Sequence, residues 1–144
     1  MVNPLAEVFP RLATGDFQVT SPKDPLYNCI AWAAGETGKW WWRGPNPEEE
    51  YWPASAPREI TLSAFQNALA SIGYLVCQGE ELEPGQEKIA LFANAQGQPT
   101  HAARQLPNGR WTSKLGKLED IEHDLHDLEG QVYGSIISIL KRPT

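Results

Sequence analysis

The dipeptide Asn108-Gly109 constrains the fold of this chain more than any other short segment. It separates two stretches rich in strand-forming residues, from Thr100 to Leu106 and from Arg110 to Leu115. Asn-Gly between such stretches is the strongest short-range signal for a two-residue β-hairpin turn, because both residues adopt positive φ at low cost. The sequence therefore predicts an antiparallel hairpin, in a register where Arg104 faces Ser113.

Helices are predicted ahead of this hairpin and strands around it. Asn28 is a good N-cap for a short helix that ends near Gly35, and Thr61 caps an amphipathic helix that ends at Gly73. The remaining predicted elements are strands at 74–77, 88–93 and 131–140 and a third helix at 118–128. We therefore expect an α+β fold in which N-terminal helices pack on an antiparallel sheet.

The 144 residues are expected to form one domain, residues 1–144, because domains commonly contain about 100–200 residues. Residues 1–27 contain four prolines and are predicted to be an extended lead-in. Residues 40–60 combine prolines with a run of three tryptophans, which predicts a Trp/Pro-rich loop.

Composition excludes several classes of function. A net charge of −6 argues against nucleic-acid binding, and no apolar run reaches the roughly 18 residues of a membrane span. Two cysteines are too few for a disulfide framework or a four-thiolate zinc site, and no glycine-rich phosphate loop occurs, so we expect neither metal nor cofactor. The first twenty residues lack the pattern of a secretory signal, which favours a cytoplasmic location.

Cys29, His101 and Ser113 are the candidate catalytic residues. Cys29 lies at the predicted start of a helix, where backbone N–H groups and the helix dipole stabilise a thiolate. A nucleophilic cysteine needs a base, and His101 lies at the head of a predicted strand. Ser113 on the returning strand is diagonal to His101 and is predicted to orient its imidazole.

A helix-borne cysteine, followed by a hairpin with a histidine and a polar partner, resembles the papain-like cysteine hydrolases, above all the NlpC-type cell-wall peptidases. The resemblance spans Cys29 to Leu115 and implies a papain-like fold and a cysteine hydrolase activity. In those peptidases the third catalytic residue, which orients the histidine, is more often His, Asn, Asp or Gln, and Ser113 departs from this pattern. The segments YNCIAWAAG, WWW, YWP and THAARQLPNGRWTSKLG also resemble a family of bacterial proteins of uncharacterised activity.

Five further residues are candidates for substrate binding. Trp41 or Trp42 would line a groove, although packing of the loop onto the body explains tryptophans equally well. Tyr27 or Asn28 would complete an oxyanion hole with the backbone N–H of Cys29, with simple N-capping the stronger interpretation of Asn28. Arg104 would bind a substrate carboxylate.

The acidic segment 122–127 contains His123 and His126 and superficially resembles a metal site. On the predicted helix, however, His123 points away from the apolar face, and no remote ligand completes a set of three or four. We interpret the segment as a solvated acidic face.

The leading hypothesis is therefore a cysteine hydrolase, or an acyltransferase, that acts on peptide, amide or ester substrates. The alternative is a non-catalytic interaction module that binds a protein partner through the Trp-rich loop. A sulfur atom within about 4 Å of an imidazole nitrogen in an open cleft would favour the enzyme. A buried Cys29 with His101 turned elsewhere would favour the module.

Overall fold

A computed structural model describes residues 9–13, 17–21, 28–35, 40–41, 50–54, 56–57, 59–115 and 120–144 of the chain. Its main feature is a seven-stranded antiparallel sheet with the strand order β1-β8-β7-β6-β5-β9-β4. The strands are β1 (Gln18–Ser21), β4 (Leu75–Cys77), β5 (Gln86–Ala93), β6 (Pro99–Gln105), β7 (Trp111–Lys114), β8 (Asp120–His123) and β9 (Ser135–Pro143). Two further strands, β2 (Trp40–Trp41) and β3 (Glu50–Tyr51), form a short parallel pair.

Two helices are present in the described part of the chain, α1 (Cys29–Ala33) and α2 (Leu62–Ala70). Each helix begins after a capping residue, whose side chain accepts a hydrogen bond from the backbone N–H three residues further along the chain. Asn28 caps α1 in this way and Thr61 caps α2. Such caps satisfy backbone donors that a helix start otherwise leaves unpaired. Single turns of 3₁₀ helix cover Pro10–Ala13 and Leu125–Leu128.

The sheet buries both of its faces. Ile89 and Leu91 of β5 pack with α1 and α2 on one face, called here the helix side. Ala90 and Phe92, which alternate with them along β5, pack on the opposite face with the 3₁₀ turns. Successive side chains of a strand point to opposite faces, and side chains of paired residues on neighbouring strands point to the same face. The alternation along β5 therefore indicates on which side of the sheet the paired residues of β6 and β9 lie.

The α+β prediction is wrong, because the described structure is largely β. Its two helices contain five and nine residues, against a seven-stranded sheet. The predicted helix at 118–128 is replaced by β8 and a 3₁₀ turn, since Asp120–His123 pairs with β7 on one side and β1 on the other. Pairing with distant strands thus overrides the helical spacing of the apolar residues. The predicted lead-in also contains β1, an edge strand of the sheet.

The hairpin at Asn108-Gly109 forms, but its register differs by one residue from the prediction. The backbone N–H of Leu106 donates to the carbonyl of Arg110 at 2.7 Å, and Arg104 pairs with Thr112 rather than Ser113. Gly109 has a φ of +88°, typical of the last residue in a three-residue loop that contains a bulge. The extra loop residue causes the shift.

No helix in the described ranges is long and apolar enough to cross a bilayer.

Candidate functional site

Cys29 is the first residue of α1 and is buried, with 7% of its surface exposed. Burial raises the pKa of its thiol to about 11. Four groups act to lower this pKa, but burial has the larger effect. They are the backbone N–H groups of Ala102, Ile30 and Cys29 and the charge of Lys114. The thiol is therefore protonated at neutral pH, in surroundings already equipped to stabilise a negative charge.

His101 on β6 begins a chain of buried polar groups. Its Nε2 lies 3.0 Å from Oγ of Ser113, and the same oxygen lies 2.7 Å from Nε2 of His123. Nδ1 of His123 lies 2.8 Å from the carbonyl oxygen of Asp124. His101, Ser113 and His123 have no exposed surface.

Burial lowers the pKa of both histidines, to about 4 for His123 and well below the ordinary value for His101. Both imidazoles are therefore neutral at pH 7, and each carries one hydrogen.

The hydrogen-bond partners determine which nitrogen carries each hydrogen. A carbonyl oxygen only accepts, so His123 donates from Nδ1 to Asp124 and its Nε2 accepts from the hydroxyl of Ser113. Ser113 must then accept from Nε2 of His101. Nδ1 of His101 is consequently left without a hydrogen, and this buried nitrogen has no hydrogen-bond partner. The chain from Asp124 to His101 thus fixes an unprotonated ring nitrogen without a hydrogen-bond partner inside the protein.

Aromatic rings hold the His101 imidazole in place. Tyr133 stacks on it with 4.0 Å between ring centroids and 9° between planes, and Phe92 meets it edge-on at 5.2 Å. Thr100 fixes Tyr133 by donating its hydroxyl hydrogen to the Tyr133 carbonyl oxygen. The imidazole is therefore held by both packing and hydrogen bonding.

Cys29 and His101 belong to different parts of the core around β6. Cys29 packs on the helix side with Ala102, whereas His101 contacts Phe92, which belongs to the other face. The backbone N–H of Ala102 acts to lower the pKa of the Cys29 thiol, which places the thiol near the residue next to His101. In the described structure no hydrogen bond joins the thiol to the imidazole, and both residues are buried rather than lining an open cleft.

The other predicted substrate-binding residues are mostly used for packing. Asn28 donates to the carbonyl of Trp41 at 2.6 Å and accepts from the N–H groups of Ala31 and Trp41, so its amide caps the helix and binds the last residue of β2. Trp41 is buried, with 5% of its surface exposed. Tyr27 and Trp42 lie outside the described residues.

Arg104 lies on the helix side, where its guanidinium stacks over the Trp32 ring at 5.2 Å from the centroid. Trp32 in turn donates to the hydroxyl of Thr112 at 3.0 Å. Arg104 is thus positioned beside α1 but away from Ser113, its predicted partner, whose side chain faces the other side of the sheet.

His123 is a site residue that the sequence interpretation set aside, because it placed the side chain on the outer face of a helix. It belongs to a strand rather than a helix, and its side chain is buried in the polar chain instead of facing solvent. The segment Asp120–His123 alternates Ile121 and His123 with two acidic residues, a period-two pattern that could have indicated a strand. No cluster of metal-ligating side chains occurs among the residues that the structure describes.

The comparisons with known proteins give a family but no activity. No curated protein and no solved structure matches the chain. A family model described as "domain of unknown function (DUF7689)" matches residues 18–141, which is most of the chain and includes Cys29, His101, Ser113 and His123. The chain therefore belongs to the DUF7689 family.

Proposed function

We propose that this chain is a cysteine-dependent hydrolase or acyltransferase that acts on amide or ester bonds, with Cys29 as nucleophile and His101 as general base. One observation carries the proposal: Nδ1 of His101 is unprotonated, fixed and without a hydrogen-bond partner, and His101 precedes Ala102, whose backbone N–H acts to lower the pKa of the Cys29 thiol. An unpartnered buried nitrogen is costly, which a role in proton transfer would explain.

The pKa shifts define how such a pair would work. The raised pKa of Cys29 and the lowered pKa of His101 favour a neutral pair over a thiolate–imidazolium ion pair. Sulfur would attack the substrate carbonyl while Nδ1 of His101 takes the thiol proton. His101 would then protonate the leaving group, which leaves an acyl group on Cys29. In hydrolysis, the oxygen of a water that loses a proton to His101 would bond to the acyl carbon, the carbon–sulfur bond would break, and His101 would return the proton to the sulfur of Cys29.

Ser113 and His123 would act as positioning residues in this reaction. Their hydrogen bonds hold the ring hydrogen of His101 on Nε2, so that the lone pair of Nδ1 is available to accept a proton. The N–H groups around Cys29 would stabilise negative charge that develops as the sulfur reacts.

The described structure would be a closed resting form. Cys29 packs with residues of the helix side, whereas His101 contacts Phe92 of the other core cluster, and no hydrogen bond joins them in the described structure, so the sulfur and Nδ1 would have to come together during the reaction. The ladder between β6 and β7 contains only Arg104–Thr112 and Gln105–Trp111, so the strands are not paired next to Ala102. This unpaired stretch is where we place the movement.

Burial favours a second candidate, the non-catalytic interaction module. Complete burial of His101, a thiol pKa of about 11 and the missing thiol–imidazole bond all agree with a structural role for both residues. Trp41 and Trp52 do not supply the contact surface of such a module, because both are buried. Trp52 donates to the carbonyl of Pro57 and packs against Phe65.

The test is acylation by p-nitrophenyl acetate, followed by nitrophenol release and by mass spectrometry of the labelled peptide. We expect an acetyl group on Cys29, formed at least about 100-fold more slowly in His101→Ala, since a general base contributes that much or more. Cys77→Ser is the matched control and should leave the rate unchanged, because Cys77 lies on β4, away from His101.

Thermal unfolding of each variant shows whether it is folded, and Ser113→Ala provides a second, milder change. It removes the group that fixes the His101 hydrogen and should slow acylation while Cys29 remains the labelled residue. Acetylation that is absent at Cys29, or that does not depend on His101, would contradict the enzyme and favour the interaction module.

A further inference from the structure

Lys114 is a completely buried lysine to which the proposed reaction gives no role. It lies on β7, directly opposite Asp120 on β8, and neither residue has exposed surface. Opposite charges that face each other across two strands stabilise one another. Lysine and aspartate are nevertheless rarely buried completely, because removing a charge from water is costly even when an opposite charge lies nearby. Stability alone therefore does not explain why these two residues are placed here.

The side chain of Lys114 faces the helix side of the sheet. Trp32 of α1 donates to the hydroxyl of Thr112 at 3.0 Å, so Thr112 faces α1. Lys114 is two residues further along β7, whose pairing with β8 is regular, and therefore points to the same side. Ser113, between them, points to the other side, where it contacts His101 of β6 at 3.0 Å. β6 and β7 thus still run side by side at this level, and α1 packs on both of them.

The position of Lys114 along β7 corresponds to the start of α1. Arg104 of β6 pairs with Thr112, and Ala102, which lies near the Cys29 thiol, is two positions before Arg104. Because β6 and β7 are antiparallel, two positions before Arg104 correspond to two positions after Thr112, which is Lys114. Lys114 is therefore the residue of β7 that lies beside Cys29, the first residue of α1.

The electrostatics of the thiol agree with this placement. The positive charge of Lys114 acts to lower the pKa of Cys29, alongside the backbone N–H groups. His101 has a pKa well below its ordinary value and is neutral, so it offers a proton acceptor rather than a positive charge. Charges interact much more strongly in a buried site than in water. A negative sulfur would therefore be stabilised from β7, on the side of the sheet that α1 covers.

We infer that Lys114 is a positioning residue whose charge stabilises the sulfur of Cys29 whenever that sulfur becomes negative, a role that rests on the proposed function. The sulfur becomes negative as its proton moves to His101, and again when the carbon–sulfur bond of the acyl intermediate breaks. Asp120, opposite Lys114, offsets the charge of the buried ammonium while the thiol is neutral. The proton and the negative charge are thus handled by different residues.

Labelling of Cys29 by iodoacetamide at mildly alkaline pH tests this role, because only the thiolate reacts. We expect Cys29 to be labelled at least about threefold more slowly in Lys114→Met, since loss of a nearby positive charge disfavours the thiolate. Lys114→Arg retains the charge and should be labelled at close to the wild-type rate. Lys141→Met is the matched control and should leave the rate unchanged, because β5 and β6 separate β9 from β7 in the sheet.

The direction of the change separates this role from a merely structural one. If Lys114 only filled space, its replacement would loosen the packing over the buried thiol and speed the labelling. A faster or unchanged rate in folded Lys114→Met, or equal slowing in Lys114→Arg, would overturn the inference. If thermal unfolding shows that Lys114→Met does not fold, Lys114→Met combined with Asp120→Asn removes both buried charges. The same slowing is expected in that double variant, and its absence would be equally decisive.

The failure of this inference can be distinguished from failure of the proposed function, because labelling involves no acyl transfer. If p-nitrophenyl acetate does not acetylate Cys29 but labelling still depends on Lys114, the proposed function fails and the action of Lys114 on the thiol stands. If acetylation of Cys29 depends on His101 but labelling is indifferent to Lys114, only the inference about Lys114 fails.

Discussion

The buried chain of His101, Ser113 and His123 predicts that the protein loses stability in mild acid. His123 has a folded-state pKa of about 4 and an ordinary value of 6.5. Its contribution to stability is therefore fully present above about pH 6.5 and is lost as the pH falls toward 4, because the unfolded chain binds the proton more tightly. His101 has a lowered pKa as well and acts in the same direction.

The size of the effect follows from the shift. At pH 5, which is 1.5 units below the ordinary value, the unfolded imidazole is mostly protonated and the folded one is still mostly neutral. At about 1.4 kcal/mol per unit, His123 alone should lower the free energy of unfolding by about 2 kcal/mol between pH 7 and pH 5. Glu83 and Glu129, whose pKa values are lowered, lose their contributions below about 4.5, outside this interval.

Urea unfolding followed by tryptophan fluorescence at pH 7, 6 and 5 measures this slope. His123→Gln removes the titrating group but retains an amide that can accept from Ser113, so it should make the acid loss smaller by about 2 kcal/mol. His126→Gln is the matched control. His126 is half exposed, and Glu129 and Glu80 raise its pKa, so its protonation favours the folded state and its removal should not reduce the loss.

The comparison depends on the slope with pH, so a uniform loss of stability in either variant does not affect it. A wild-type stability that is constant from pH 7 to pH 5 would refute the burial of neutral histidines. The same conclusion would follow if His123→Gln retained the full acid dependence.

Two further predictions concern the thiols and the glycines. Iodoacetamide should label Cys29 much more slowly than the partly exposed Cys77 at pH 7.5, since a thiol with a pKa of about 11 is almost entirely protonated. Peptide mass spectrometry measures the two labelling rates, and comparable rates would contradict the burial of Cys29. Gly134→Ala should reduce the free energy of urea unfolding by more than the about 1 kcal/mol expected of Gly97→Ala. Both glycines have positive φ, but only at Gly134 would a Cβ overlap the backbone carbonyl of Ala93, so equal losses would contradict the close approach.

Local signals in the sequence located several elements of the structure. The N-cap residues Asn28 and Thr61 correctly indicated where the two helices begin, because capping involves neighbouring residues only. The contact between His101 and Ser113 was expected, but in the predicted register their side chains would face opposite sides of the sheet, and the one-residue change of register places them on the same side.

Interactions between distant segments could not be predicted in this way. β1 and β8 are edge-side strands that exist through their mutual pairing, and nothing local in Gln18–Ser21 indicates a partner about 100 residues away. The same error concealed His123, because a residue on the outer face of a helix becomes an inward residue when the segment is a strand. The burial of Cys29 likewise depends on how α1 packs on β6, which its own neighbours do not specify.

The position of β9 has a consequence for how the chain is assembled during synthesis. β9 follows every other strand along the chain, yet in the sheet it lies between β5 and β4. Until β9 leaves the ribosome, β5 has one open edge and β4, with its apolar Leu75 and Val76, has no strand to join. The last of the described strands to be translated therefore joins β4 to β5, and until then the backbone of β5 keeps an unpaired edge.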